Sequence, residues 1–260
     1  MRAAQTDVKS CCAAAYSSQA ARYLLGDSFH PGGPALTSKL IRRLEVGADS
    51  TVVDVGSGPG TSALQLAREL GCTVIGVELS PTSVAAATAA AAEAGLGERV
   101  RFLVGDAEAL PLAAASMDGA LCECALCTFP DKQAAADELA RVLRPGARLV
   151  LADVVAEPER LPAELRSLAA WVACLADARP ASELSALMGK SGFVIKHVER
   201  HDDGLARLLK VVDWHLRAAA LVAGDFLGDG VDQGRELLRA ADEALRDGCL
   251  GYASILARRA

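Results

Sequence analysis

The sequence predicts a doubly wound α/β fold with a mostly parallel, seven-stranded sheet. The first indication is a short apolar strand at residues 51–55, followed by a turn with three glycines and a helical pattern over residues 61–70. A strand, a glycine turn and a helix in this order form half of a doubly wound unit, whose ligand lies at the carboxyl end of the strand. The second indication is that strands and helices alternate up to residue 153, which is typical of a parallel sheet covered on both faces.

The other elements follow from hydrophobic periodicity and from glycine and proline turns. We expect strands at residues 51–55, 73–78, 100–104, 119–124, 148–153, 193–199 and 250–256. We expect helices at residues 7–25, 36–44, 61–70, 81–94, 131–143, 162–175 and 181–190, and two more within residues 203–247. The last strand is expected to run antiparallel to its neighbour. The chain is read as a single domain, residues 1–260, with a helical leader (1–48), a core (49–200), and a helical insert followed by the closing strand (201–260).

Composition excludes several classes of protein. The net charge of −6 argues against a nucleic-acid groove, since no stripe of lysine and arginine is present. The first residues lack the apolar segment of a signal peptide, and no apolar run is long enough to span a bilayer. We therefore expect a soluble, cytoplasmic protein that binds neither nucleic acid nor membrane. Its eight cysteines are expected to be reduced thiols rather than a disulfide scaffold.

The spacing of the glycines separates two classes of cofactor. A dinucleotide fold requires G-x-G-x-x-G, whereas Gly56, Gly58 and Gly60 follow Asp54 in the order G-x-G-x-G. This run resembles motif I of the class I S-adenosylmethionine-dependent methyltransferases, and the resemblance extends over about residues 50–155. It implies a Rossmann-like methyltransferase fold, S-adenosylmethionine as the cofactor, and a leader that folds over the cofactor cleft as a lid.

Acids at the ends of the next two strands complete the predicted cofactor site. Glu78 ends the second strand, where an acid can accept hydrogen bonds from both ribose hydroxyls. Asp106 follows the third strand, and the resemblance implies that it accepts from the adenine amino group while Ala107 supplies a backbone N–H. The predicted cofactor-binding residues are therefore Asp54, Gly56, Ser57, Gly58, Gly60, Glu78, Leu79, Asp106, Ala107 and Cys122.

Thiols are concentrated in the segments expected to border the methyl group. They lie near the end of the fourth strand, after the fifth strand and in the leader, at Cys122, Cys124, Cys127, Cys174, Cys11 and Cys12. Cys122 and Cys124 are two residues apart, so on a strand they share a face while Glu123 points the opposite way. Cys72 and Cys249 are expected to be ordinary structural residues.

Soft elements prefer thiolate ligands, and three thiolates bind trivalent arsenic while leaving its lone pair free for methylation. The run Cys-Glu-Cys-Ala-Leu before a Pro-Asp-Lys helix is similar to the arsenite S-adenosylmethionine methyltransferases. This resemblance implies catalytic thiolates at Cys124, Cys174 and one of Cys11 and Cys12, with Cys124, Cys174 and Cys12 as ligands of a metalloid substrate. Glutathione or another thiol would be a further partner. The family's longer leader is missing here, and the helices within residues 203–247 have no counterpart.

The expected function is therefore transfer of a methyl group from S-adenosylmethionine to a trivalent arsenical or a similar thiophilic element. Two other functions stay open. The protein could methylate oxygen, nitrogen or carbon of a small organic metabolite, which calls for a general base, for which His30 and His215 are candidates. Alternatively, it could be a thiol-based metalloid sensor that has kept the cofactor fold without catalysis.

Overall fold

The computed structural model describes residues 9, 14–16, 18, 23, 30–166, 177–223 and 229–260, without the side chains of residues 219–223 and 229–231. The strands are β1 (Thr51–Val55), β2 (Thr73–Glu78), β3 (Val100–Val104), β4 (Met117–Glu123), β5 (Leu143–Ala156), β6 (Phe193–Arg200) and β7 (Leu250–Arg259). The α-helices of these ranges are α1 (Gly33–Ile41), α2 (Thr61–Leu70), α3 (Pro81–Glu93), α4 (Lys132–Val142), α5 (Ala181–Lys190), α6 (Asp202–Ala223) and α7 (Asp229–Arg246). Single 3-10 turns lie at Arg42–Leu44, Leu126–Thr128, Pro158–Arg160 and Ala163–Arg166.

The seven strands form one sheet in the order β3-β2-β1-β4-β5-β7-β6. β1 pairs in parallel with β2 on one side and with β4 on the other, which places it at the point where the strand order reverses. β7 alone runs antiparallel, against both β5 and β6. Buried apolar side chains form two clusters, and together they include residues from all seven strands. The predicted doubly wound, mostly parallel sheet is thus confirmed.

Local sequence explains where the helices around β1 and β2 begin and end. Gly60, in the left-handed region, precedes α2, and Gly71 ends it by donating its N–H to the Ala67 carbonyl. Ser80 caps α3, since its hydroxyl oxygen accepts from the Ser83 N–H at 3.2 Å. Both helices therefore begin close after the strand that precedes them, at the sheet edge where a ligand is expected.

Some expected boundaries differ from the structure. β5 begins at Leu143 rather than at residue 148, because Leu143 already pairs with Met117 of β4, ahead of the turn signal at Pro145 and Gly146. The helix expected at residues 162–175 starts as a 3-10 turn, and the rest of it lies outside the described residues. Of the leader helix expected at residues 7–25, only residues 9, 14–16 and 23 are described as helical. The insert is the expected pair of helices, α6 and α7. The division into one domain stays a prediction.

Candidate cofactor and acceptor site

Side chains from four successive strand ends line a single cleft. Asp54 is the last residue but one of β1, Glu78 closes β2, Asp106 follows β3 and Glu123 closes β4. These parallel strands share one carboxyl edge, so residues that lie far apart in sequence meet there. The cleft is the place where the structure brings the predicted cofactor residues together.

The glycine turn forms one wall of the cleft. Gly56 and Gly58 are in the left-handed region, with φ of 73° and 49°, which few residues other than glycine adopt. A Cβ on Gly58 would meet no atom within 4 Å, so its backbone is open to a ligand. A Cβ on Gly60 would lie 2.5 Å from the Phe102 ring, so this glycine serves packing and does not line the cleft.

Asp54 and Ser57 present buried oxygens toward this turn. Asp54 is 2% exposed, and burial, with the negative charges of Glu123 and Glu78 adding to it, raises the pKa of the carboxyl to about 8. Among the described residues, neither Asp54 Oδ2 nor Ser57 Oγ has a hydrogen-bond partner. Buried polar atoms are normally paired. Two orphaned acceptors beside an open backbone fit a cofactor that carries an ammonium and a sulfonium group.

Glu78 is held by the backbone on both of its oxygens. Its Oε2 accepts from the Gly58 N–H at 3.1 Å and its Oε1 from the Ser80 N–H at 2.9 Å. The carboxylate therefore connects the glycine turn with the start of α3, and its half-buried side chain lines the cleft. The contact of Glu78 with the ribose hydroxyls stays a prediction.

A lysine of the leader reaches the end of the cleft that is lined by Asp106. Lys9 Nζ lies 2.7 Å from Asp106 Oδ2 and 2.5 Å from Glu108 Oε2. Leu79 and Ala107 line the same end. The sequence analysis did not single out Lys9, because one lysine in a helical segment carries no local signal of a partner almost a hundred residues away.

Glu123 is the centre of a buried polar network on the other side of the cleft. Its Oε2 accepts from Ser62 Oγ at 2.7 Å and from Thr37 Oγ1 at 3.2 Å, and it lies 3.9 Å from His30 Nε2. Thr37 Oγ1 also lies 3.3 Å from His30 Nε2. His30 Nδ1 is 3.3 Å from the Pro31 carbonyl oxygen, so a proton on Nδ1 would have an acceptor there. In that tautomer Nε2 is the unprotonated nitrogen, and it lies beside the Thr37 hydroxyl and the carboxylate.

Cys122, within β4, and Cys124, just after it, do not share a face, contrary to the prediction. Cys122 is fully buried in the core and burial raises the pKa of its thiol, so its side chain does not line the cleft as a cofactor ligand would. Cys124 lies one residue beyond β4 in the left-handed region, with φ of 52°. This turn breaks the alternation of the strand, and both Glu123 and Cys124 line the cleft.

The structure describes only some of the other cysteines. Cys127 is buried next to Cys124 and Asp153. Cys11, Cys12 and Cys174 lie outside the described residues, so their roles stay predictions. Cys72 and Cys249 belong to the apolar core, as expected.

The second candidate base, His215, lies apart from this cleft. Its ring centroid is 5.0 Å from that of Tyr23 and 5.1 Å from that of Trp214. Among the described histidines, His30 is the one that lines the cleft.

Residues 53–151 match the family described as "Methyltransferase domain". The methyltransferase GfsG of Streptomyces halstedii is 40% identical over 129 residues, which are 50% of this chain and 46% of GfsG. The O-methyltransferase resE of Aspergillus sclerotiorum is 29% identical over 224 residues, 86% of this chain and 81% of resE. The arsenite methyltransferase of Halobacterium salinarum is 32% identical over 158 residues, 59% of this chain and 39% of that protein. This chain covers most of the length of resE but less than half of the length of GfsG and of the arsenite methyltransferase.

Solved structures share the whole fold. The cyclase SpnF is 26% identical with a TM-score of 0.75, over 90% of this chain and 84% of SpnF. The geranyl diphosphate C-methyltransferase of Streptomyces coelicolor, solved with S-adenosyl-L-homocysteine, is 21% identical with a TM-score of 0.75, over 97% and 98% of the two chains. One fold thus carries proteins named for different reactions.

No helix within the described ranges combines the length and the apolar character that crossing a membrane requires. The predicted fold is confirmed, and residues 53–151 match a methyltransferase domain. The chain has the fold of the class I S-adenosylmethionine-dependent methyltransferases, its residues 53–151 match a methyltransferase domain, and structures of the same fold are solved with S-adenosylmethionine or S-adenosylhomocysteine.

Proposed function

We propose that this protein transfers the methyl group of S-adenosylmethionine to a hydroxyl oxygen of a small organic molecule, with His30 as the general base. The observation that carries the proposal is the buried pair of His30 and Glu123 in the cleft that also holds the glycine turn. The O-methyltransferase resE, which matches most of this chain, supports an oxygen acceptor.

The cofactor would be held by Asp54, Glu78, Asp106 and the backbone of the glycine turn, and it supplies a methyl group on a positively charged sulfur. Transfer is a displacement, so the protein contributes mainly orientation and removal of the acceptor's proton. His30 Nε2 would accept that proton from the hydroxyl as the new carbon–oxygen bond forms. Glu123 would stabilise the resulting imidazolium, because an opposite charge a few ångströms away favours the protonated ring.

The network keeps both groups in place without occupying Nε2 tightly. Thr37 lies at 3.3 Å and Glu123 at 3.9 Å from that nitrogen, distances at or beyond the long end of hydrogen bonding. Ser62, at 2.7 Å, fixes the carboxylate more firmly. His30 is therefore oriented by its neighbours and can accept from a hydroxyl that enters the cleft.

The test is a turnover assay that measures S-adenosylhomocysteine with a panel of small hydroxylated compounds. His30→Ala should lower kcat by about a hundredfold or more, since general base catalysis contributes roughly 10²–10⁴. Its affinity for S-adenosylmethionine, measured by calorimetry, should change little. The matched control is His197→Ala, which removes a half-exposed histidine on β6. Unchanged turnover in His30→Ala, or methylation of arsenite alone, would refute the proposal.

A trivalent arsenical is the second candidate acceptor. Cys124 lines the cleft with Cys127 next to it, and one relative is an arsenite methyltransferase. In this reading Cys124, Cys174 and Cys12 or Cys11 are the thiolates. Arsenite-dependent formation of S-adenosylhomocysteine in the presence of glutathione, abolished by Cys124→Ser and retained by His30→Ala, would favour it over the hydroxyl acceptor.

A further inference from the structure

Two thiols and a carboxylate meet at one side of the cleft, and neither the cofactor nor the proposed base uses them as a set. We call Cys124, Cys127 and Asp153 the thiol–carboxylate cluster. Cys124 follows β4, Cys127 lies in the 3-10 turn Leu126–Thr128, and Asp153 belongs to β5. The two sulfurs and a carboxylate oxygen all lie within 4.8 Å of one another.

The backbone fixes each member of the cluster. The Cys124 N–H donates to the Ala152 carbonyl at 2.7 Å, which ties the end of β4 to β5. The Cys127 N–H donates to Asp153 Oδ2 at 2.9 Å, and the Val154 N–H donates to Asp153 Oδ1 at 2.7 Å. The three side chains are thus held together by the fold itself, so little rearrangement would be needed to close them on an ion.

The distances between the ligand atoms of the cluster are close to those around a tetrahedral metal ion. With a metal–sulfur distance of about 2.3 Å and a metal–oxygen distance of about 2.0–2.2 Å, two ligands of tetrahedral zinc lie roughly 3.5–3.8 Å apart. The ligand atoms, which lie within 4.8 Å of one another, would therefore have to move together by only about an ångström to bind the ion. Rotation of the cysteine side chains supplies such a shift without moving the backbone.

The donors and their burial select the class of ion. Thiolate ligands favour zinc and other thiophilic ions over magnesium and calcium, which prefer oxygen. Asp153 is 1% exposed and Cys127 4%, whereas Cys124 is partly exposed at the cleft. An ion held by these three side chains would keep a fourth position, and Cys124 places that position next to the cleft.

We propose that Cys124, Cys127 and Asp153 bind one thiophilic divalent cation of the zinc class at the side of the cofactor cleft. The carboxylate distinguishes this site from a metalloid site made of thiolates alone. The proposal concerns binding by the folded chain and does not depend on the identity of the methyl acceptor.

The test uses the full chain, stripped with a chelator and kept reduced without oxygen. Titration with Co²⁺ should give one bound ion per chain with a thiolate-to-metal absorption band, and Zn²⁺ should displace it. Cys124→Ala, Cys127→Ala and Asp153→Asn should each weaken binding by at least about tenfold, because each removes one of three protein ligands. Cys249→Ala is the matched control, since that buried thiol lies outside the cluster.

Two outcomes would overturn the proposal. One is the absence of a thiolate-dependent band in the wild-type chain. The other is full affinity and an unchanged band in Cys124→Ala and Cys127→Ala, which would assign the ion to other thiols. Asp153→Asn disturbs a buried strand, so its thermal unfolding is measured in parallel. If it fails to fold, Cys124→Ala decides, because Cys124 is the most exposed member of the cluster.

Discussion

Replacing Asp54 by asparagine should change how the stability of the cofactor-free protein depends on pH. The wild-type carboxyl is buried and its pKa is raised from 3.8 to about 8, first by burial and then by Glu123 and Glu78. Asparagine has the same shape as the protonated acid but does not ionise. The substitution therefore isolates the contribution of one proton to folding.

The sign follows from proton linkage. The folded pKa lies above the unfolded one, so the stabilisation is fully present below pH 3.8 and is lost as the pH rises through about 8. Between these values the folded chain keeps a proton that the unfolded chain has released, which lowers the free energy of unfolding by about 1.4 kcal/mol per pH unit. From pH 5 to pH 7 the loss attributable to Asp54 is thus up to about 3 kcal/mol.

The measurement is urea denaturation of cofactor-free protein at pH 5, 6, 7 and 8. Asp54→Asn should flatten the decline with pH and should be more stable than the wild type at pH 8. Asp49→Asn, at an exposed position, is the matched control and should leave the decline unchanged. Parallel curves for wild type and Asp54→Asn would show that the carboxyl is not held protonated, and the reasoning would fail.

Three further predictions concern the same cleft and its supports. Glu78→Ala should weaken binding of S-adenosylmethionine by roughly a hundredfold in calorimetry, because charge-assisted hydrogen bonds contribute about 1.5–3 kcal/mol each; unchanged affinity would exclude a ribose contact. Gly60→Ala should lower the free energy of unfolding by about 2–4 kcal/mol, since it combines a left-handed backbone with overpacking against Phe102. Gly146→Ala, with φ of 84° but no atom within 4 Å of the added Cβ, should show the backbone cost alone; equal losses would contradict the packing argument. Lys132→Met should cost about 1–3 kcal/mol in chemical denaturation, because it removes the buried ammonium that Asp177 and the Cys127 carbonyl oxygen share, although Arg179 still pairs with Asp177. A neutral result would mean that this ion pair is dispensable.

The sequence alone was sufficient to predict the sheet and the edge of the sheet at which Asp54, Glu78 and Asp106 meet. Residues 51–70 form a strand, a turn and a helix for local reasons: apolar periodicity, glycines that permit the left-handed region, and a helix that starts directly after them. Asp54, Glu78 and Asp106 could be placed together because each lies at or just beyond the carboxyl end of a strand, and parallel strands end at one edge. The other strands and helices of this part of the chain could be predicted from their alternation along the sequence.

The sequence also predicted the two helices of the insert, but it did not predict every element boundary. The insert after β6 shows two amphipathic stretches, and the structure has α6 and α7 there. The start of β5 at Leu143 was not foreseen, because pairing with β4 overrides the turn signal of Pro145 and Gly146.

Tertiary structure decided which side chains face the acceptor. The alternation of a strand would place Glu123 opposite to Cys122 and Cys124, yet the left-handed turn at Cys124 brings Glu123 and Cys124 into one cleft and leaves Cys122 in the core. No pattern along the chain reveals that His30 lies 3.9 Å from the Glu123 carboxylate, almost a hundred residues away. Likewise, Cys127 meets Asp153 only because β5 lies next to β4. Local conformation is encoded by neighbours in sequence, whereas the chemistry of this cleft depends on contacts that exist only after the sheet has assembled.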